Sequence, residues 1–164
     1  PEYAQECRDL AAQLDLGGTV QFRGFQKAED VFARIRVATL TSISEAQPLV
    51  ALEAMASGIP VVCTDVGSCY ELVHGHPKER ATSLTTPPDP AHAAGRIVPI
   101  ADPGETAAAI LDLLTDREAW ESARAVGIRR VDEHYSEQLM LERYEHLYAE
   151  AADQRARPVA AAGE

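Results

Sequence analysis

At 164 residues the chain is long enough for one domain with a buried core, and its 46% hydrophobic content excludes a disordered polymer. Its net charge of −11 argues against nucleic acid or anionic lipid as general partners, because a phosphate backbone needs a basic face; a single small phosphorylated ligand held by backbone amides remains compatible with it. No apolar run reaches the roughly 18 residues that a membrane-spanning helix requires.

Tyr3 to Leu14 reads as an amphipathic helix, with Tyr3, Cys7, Leu10, Ala11 and Leu14 at helical spacing, stopped by Gly17-Gly18. Thr19–Phe22 reads as a short strand broken at Gly24, and Lys27–Ile35 as a short helix. Val37–Thr41 is continuously apolar enough to suggest a strand buried on both faces. A helix over Pro48–Ser57, a strand over Ile59–Thr64, a turn over Asp65–Ser68 and one or two helical turns over Cys69–Val73 follow. His74 to Gly95 is loop-like and contains Pro77, Pro87, Pro88 and Pro90. Arg96–Ile100 is a fourth strand, with helices over Glu105–Leu114, Arg117–Glu133 and Ser136–Ala151 behind it. Ser136 caps the last of these, and residues 152–164 read as a disordered tail. Strands alternating with helices predict an α/β, Rossmann-like, doubly wound parallel sheet over residues 1–151.

In such a sheet, ligands sit beyond the carboxyl ends of the strands, which places Gly24, the Thr41–Pro48 loop and the Asp65–Ser68 turn on one rim. Pro48 stands where a first helical turn begins, leaving the amides of Leu49 and Val50 free as an anion site. Glu45, on the loop before that helix, can accept hydrogen bonds from hydroxyls, and Glu53 lies about 7–8 Å along the axis, where it suits two vicinal hydroxyls. Two acids around an anion-binding helix start suit a nucleotide sugar; by spacing alone, a capping or solvated acid at Glu45 and a solvated helix residue at Glu53 are the favoured reading. The five histidines show no catalytic spacing, and Cys7, Cys63 and Cys69 fit neither a zinc site nor a redox CxxC, so they read as reduced structural thiols.

The stretch carrying Ser42, Ser44-Glu45, Pro48-Leu49, Leu52-Glu53-Ala54-Met55-Ala56, Gly58, Pro60-Val61-Val62, Asp65-Val66-Gly67 and Glu71-Leu72 resembles the E-x7-E region of the retaining glycosyltransferases of family 4, which have the GT-B fold. The resemblance extends upstream over Tyr3, Cys7, Leu10, Val20-Gln21-Phe22 and Gly24-Phe25, and weakens downstream to Asp102-Pro103 and the last helices. The wording SISEAQPL, and the cysteine before the turn, resemble the subgroup that makes bacterial exopolysaccharide of the Pel type from a UDP-sugar. By that resemblance Glu45 is the candidate catalytic residue, in contact with hydroxyls of the donor sugar. Gln47, Pro48, Leu49 and Val50 would hold donor hydroxyls and phosphate through their backbone, Glu53 the ribose, and Gly24, Phe25 and Gln26 would lie near the base. Val66-Gly67 would shape the pocket. The implied reaction moves a sugar, glucose in this subgroup, from a UDP-sugar to a polysaccharide or lipid-linked acceptor, with retention and without a cofactor or essential metal. The implied location is the cytoplasm, with the full-length protein at the inner face of the membrane. The alternative is a non-catalytic nucleotide-sugar-binding or assembly module.

Two departures qualify the resemblance. Ala46 stands where the family usually has glycine, which leaves donor choice open. The chain opens at Pro1 without the family's preceding acceptor domain or the first two strands of its donor domain, so the expectation is an N-terminally truncated donor domain that is inactive alone. Against a strand order of 3-2-1-4-5-6, the strands at Thr19–Phe22 and Val37–Thr41 would then have open edges, available to a second copy.

Overall fold

The computed structural model describes residues 2–75 and 92–156. These divide into two compact units, one ending at Arg34 and one beginning at Ile35. The first contains helix α1 (Glu2–Gln13) and the short helix α2 (Ala28–Phe32). The Arg8 guanidinium lies 5.3 Å from the centroid of the Phe22 ring. The strand expected at Thr19–Phe22 does not form. The amides of Thr19 and Val20 both donate to the carbonyl of Leu16, at 2.9 and 2.8 Å, so this backbone closes a local turn instead of reaching for a neighbouring strand.

The second unit runs β1 (Ala38–Leu40), α3 (Leu49–Ala56), β2 (Val61–Thr64), α4 (Cys69–His74), β3 (Gly95–Val98), α5 (Pro103–Thr115), α6 (Arg117–His134) and α7 (Glu137–Ala156). The three strands form one parallel sheet in the order β1-β2-β3. Leu40 pairs with Cys63 and Thr64 with Val98, so the carboxyl ends of the strands come out on one rim. The burial on both faces expected for β1 belongs instead to β2, all four of whose residues are buried. β2 has a neighbour on each side; among the described residues β1 has one neighbour only, and its Thr39 is exposed. The proline-bearing segment 76–91 lies outside the described residues.

Strand alternation sends Val62 to one face and Cys63 to the other. Val62 packs with Val98, Leu113 of α5 and Ala123 of α6. On the opposite face, the buried thiol of Cys63 neighbours the buried thiol of Cys69 at the start of α4. The sheet is therefore covered from both sides, as a doubly wound topology requires. Arg130 of α6, itself buried, braces the covering helices: it donates to the carbonyls of Leu72 (3.1 Å) and Val73 (2.5 Å) at the end of α4, and of His92 (2.8 Å) ahead of β3. The indole of Trp120 donates to the carbonyl of Arg36 at 2.7 Å, tying the approach to β1 onto α6.

Caps set the helix ends. Asp102 accepts from the Glu105 amide at 2.9 Å, Asp116 from that of Ala119 at 3.0 Å, and Ser136, as its sequence position predicts, from that of Leu139 at 3.3 Å. α7 runs to Ala156, past the expected end at residue 151, and residues 157–164 lie outside the described residues. Met140, Leu141, Tyr144, Leu147 and Tyr148 of α7 are exposed. No helix of the described residues is long and apolar enough to cross a membrane.

Two measurements test this packing. A β-carbon on Gly95 would lie 1.8 Å from the carbonyl oxygen of Val61, across the β2–β3 ladder. Gly95→Ala is expected to lower unfolding free energy in urea by about 2–3 kcal/mol, through forced separation of the two strands. The second test uses pH. The Cys63 thiol is pushed from its ordinary 9.0 up to about 12, chiefly by burial and then by the neighbouring Cys69 thiol and the Glu45 charge. A thiol that ionises more readily in the unfolded chain stabilises the fold fully below about pH 9 and loses that contribution as pH rises toward 12. The unfolding free energy in urea should fall more steeply above about pH 9 in the native sequence than in Cys63→Ala, by up to about 1.4 kcal/mol per pH unit.

Candidate functional site

The rim beyond β1 and β2 is built from two loops and one helix start. The loop after β1 carries Glu45, which is half-buried. The hydroxyl of Ser42 donates to its Oε1 at 2.7 Å. Ser42 is itself anchored, since the hydroxyl of Thr64, buried at the end of β2, donates to the Ser42 carbonyl at 2.5 Å. Sequence reasoning named Ser42 without this role and passed over Thr64. The available signal was a hydroxyl closing an otherwise apolar strand, since a buried polar group needs a partner.

The turn after β2 holds the same loop from the other side. The amide of Ser68 donates to the Ala46 carbonyl at 2.9 Å. Gly67 has a φ of +53°, and a β-carbon there would lie 2.1 Å from the Glu45 carbonyl oxygen and 2.7 Å from that of Ala46. Glycine is required twice over, by the left-handed backbone and by the close approach.

Helix α3 starts one residue later than expected. Pro48 is its N-cap, at φ −75° and ψ 108°, instead of its first helical residue. The fixed proline φ suits either position, and it is ψ that places the residue outside the helix. The Pro48 carbonyl accepts from the amides of Ala51 and Leu52, at 3.2 and 3.4 Å. Among the described residues the amides of Leu49 and Val50 have no such acceptor, so the free donors foreseen at this helix start are present. The buried face of α3 is Ala51, Ala54 and Met55. Leu49, Val50 and Glu53 are exposed, and the i, i+3 and i, i+4 spacing sets them on one side of the helix, so the Glu53 carboxylate shares the face that leads back to the free amides.

The far end of α3 is also fixed. The amide of Ile59 donates to the Ala54 carbonyl at 2.9 Å and that of Gly58 to Met55 at 3.0 Å, with Gly58 at φ +74°. This is a Schellman ending, and it turns the chain straight into β2. Gly127 of α6 admits the helix closely, since a β-carbon there would lie 3.4 Å from Met55.

The structure therefore brings Glu45, Gln47, Pro48, Leu49, Val50 and Glu53 together on one loop-and-helix segment. Gln47 is exposed on it. Gly24, Phe25 and Gln26 belong to the first unit: Gly24 has a φ of +62°, Phe25 is 95% exposed, and the Gln26 amide donates to the carbonyls of Arg23 and Phe25. Chemically, the segment offers backbone donors at the positive end of a helix dipole and a carboxylate on either side of them, a combination able to take an anion that also carries hydroxyls.

The fold has counterparts among known proteins. Solved structures of similar fold include sucrose-phosphate synthase from Thermosynechococcus elongatus, at a TM-score of 0.76 and 25% identity over 92% of this chain and 34% of that one. They also include Anabaena Alr3699/HepE in complex with UDP-glucose, at a TM-score of 0.77 and 20% identity over 91% of this chain and 37% of that one. The D-inositol 3-phosphate glycosyltransferase of Streptomyces coelicolor is 38% identical over an aligned stretch of 79 residues, the match covering 41% of this chain and 17% of that protein. The chain thus spans about a third of those solved structures and a smaller share of the curated relative. The sheet and its covering helices match the C-terminal Rossmann-like domains of GT-B glycosyltransferases. The family model described as glycosyl transferases group 1 matches residues 1–116, most of the chain, and the chain belongs to that family.

Proposed function

We propose that the chain is the donor-binding part of a retaining glycosyltransferase that moves a sugar from a nucleotide diphosphate sugar to a polysaccharide or lipid-linked acceptor. The observation that carries this reading is the start of α3, where free Leu49 and Val50 amides lie between Glu45 and Glu53. In it, the amides take the diphosphate, Glu53 takes the ribose hydroxyls, and Glu45 accepts from hydroxyls of the donor sugar. The donor is UDP-glucose, a choice supported by the complexes of Alr3699/HepE with UDP-glucose and with UDP and glucose. The family 4 and Pel-type assignments, and with them exopolysaccharide synthesis in the cytoplasm, rest on the sequence resemblance of residues 42–49 and their surroundings.

As the sugar leaves, negative charge grows on the diphosphate. Donors fixed in advance at that position stabilise the charge without rearranging. The two amides supply part of this. Their alignment is held from behind by the Schellman ending at Gly58 and from the side by the contact of Met55 with Gly127. The carbohydrate end depends on where the Glu45 loop stands, and that position is set by Ser42, Gly67 and Ser68.

Calorimetric titration of the chain with UDP and with UDP-glucose tests the reading. Binding is expected for both, and Glu53→Ala should weaken both by about tenfold, equivalent to about 1.4 kcal/mol. Absence of binding at millimolar nucleotide would overturn the proposal, and sugar transfer by the chain alone would overturn its assignment as a donor-binding part. Gly67→Ala must displace the carbonyls of Glu45 and Ala46. It is expected to reduce UDP-glucose affinity more than UDP affinity, by about tenfold or greater, as read in the same titrations.

A further inference from the structure

The roles just proposed leave Thr64 unused. It is a buried polar residue on a strand otherwise made of Val61, Val62 and Cys63. A hydroxyl in such a place must have a partner, and its short bond goes to the Ser42 carbonyl at 2.5 Å; the Leu40 carbonyl at 3.5 Å is at the limit of hydrogen bonding. A hydroxyl has one proton to donate, so the shorter contact takes it. Ser42 in turn uses its own hydroxyl proton on Oε1 of Glu45, at 2.7 Å. The two bonds form a chain from the centre of the sheet to a carboxylate on the rim. Thr64 fixes the backbone of residue 42, and Ser42 fixes one oxygen of Glu45. Among the described residues the other oxygen, Oε2, accepts no hydrogen bond.

We infer that Ser42 and Thr64 are positioning residues. They commit Oε1 of Glu45 to the protein and leave Oε2 as the acceptor for one hydroxyl of the donor sugar. This rests on the reading of Glu45 as a donor-sugar contact. An unrestrained glutamate would sample several rotamers and offer either oxygen, and the ordering would then be lost from the binding energy. Held from the sheet, the carboxylate presents a single oxygen, and a hydrogen bond to a charged group in that geometry discriminates between a ligand with the sugar and one without it.

The test compares Ser42→Ala, Thr64→Val and Thr64→Ser in the full chain, with two readouts. The first is calorimetric affinity for UDP and for UDP-glucose. The relay predicts that Ser42→Ala and Thr64→Val each lose about tenfold in UDP-glucose affinity while UDP affinity changes less than about twofold, and that Thr64→Ser recovers most of the loss. Equal loss for both ligands, or no loss for UDP-glucose, overturns the inference. The second readout needs no ligand. The carboxyl-carbon NMR resonance of Glu45 should move in Ser42→Ala and Thr64→Val and return in Thr64→Ser. If the native chain binds neither nucleotide, the proposed function fails by itself. The relay is then decided by the resonance, and an unmoved Glu45 signal in both variants overturns it.

Discussion

The rim of this molecule depends on one close contact, the approach of Gly67 to the carbonyls of Glu45 and Ala46. A parallel sheet in register delivers two loops to the same level, because Leu40 stands beside Cys63. Nothing in strand pairing says how those loops meet. Here the backbone of one lies against the backbone of the other, closer than any side chain permits, and the Ser68 amide closes the seam. The acid at position 45 is thereby attached to the most buried strand of the sheet, through Ser42 and Thr64, rather than left on a free loop. The precision of the rim comes from the interior: the four residues of β2 are all buried, and the last of them reaches outward.

Much of this was legible in the sequence, and the reason is locality. The ranges expected for helices α3, α5 and α6 lie within two residues of the observed ones, because their ends are set by residues at the segment itself: Gly58 past the end of one, Asp102 and Asp116 before the others. The apolar run before Thr64 marks the central strand. What failed were the inferences about neighbours. Thr19–Phe22 has the composition of a strand, yet the Thr19 and Val20 amides are satisfied by Leu16, so composition was outweighed by a local turn. Val37–Thr41 is apolar enough to suggest burial on both faces, yet Thr39 is exposed; its expected open edge is what the sheet shows among the described residues. Along the rim, the two acids and the helix start could be read from spacing. The anchoring of Glu45 could not, because Ser42 and Thr64 meet across 22 positions through a bond between side chain and backbone. The roles of these residues toward a ligand rest on family resemblance and chemistry together; the geometry makes them compatible.

The covering helices serve the rim indirectly. Arg130 collects three carbonyls from α4 and the approach to β3, a use of its fork of donors that a lysine could not match. Trp120 holds the segment before β1 in the same manner. Both are single side chains of α6 reaching backbone far away in sequence, so this helix works as a brace for the two ends of the sheet.

The length of α3 has a thermodynamic consequence. Eight residues are too few for a helix to persist alone in water, where roughly 12–15 are needed for even marginal helicity. The free amides at its start therefore exist as an ordered pair only while the surrounding fold is intact. An anion gripping them selects the folded ensemble, and its binding energy is added to global stability in proportion to the logarithm of its concentration over its dissociation constant. Anion binding at that helix start would couple recognition to folding, with α3 as the element that links them.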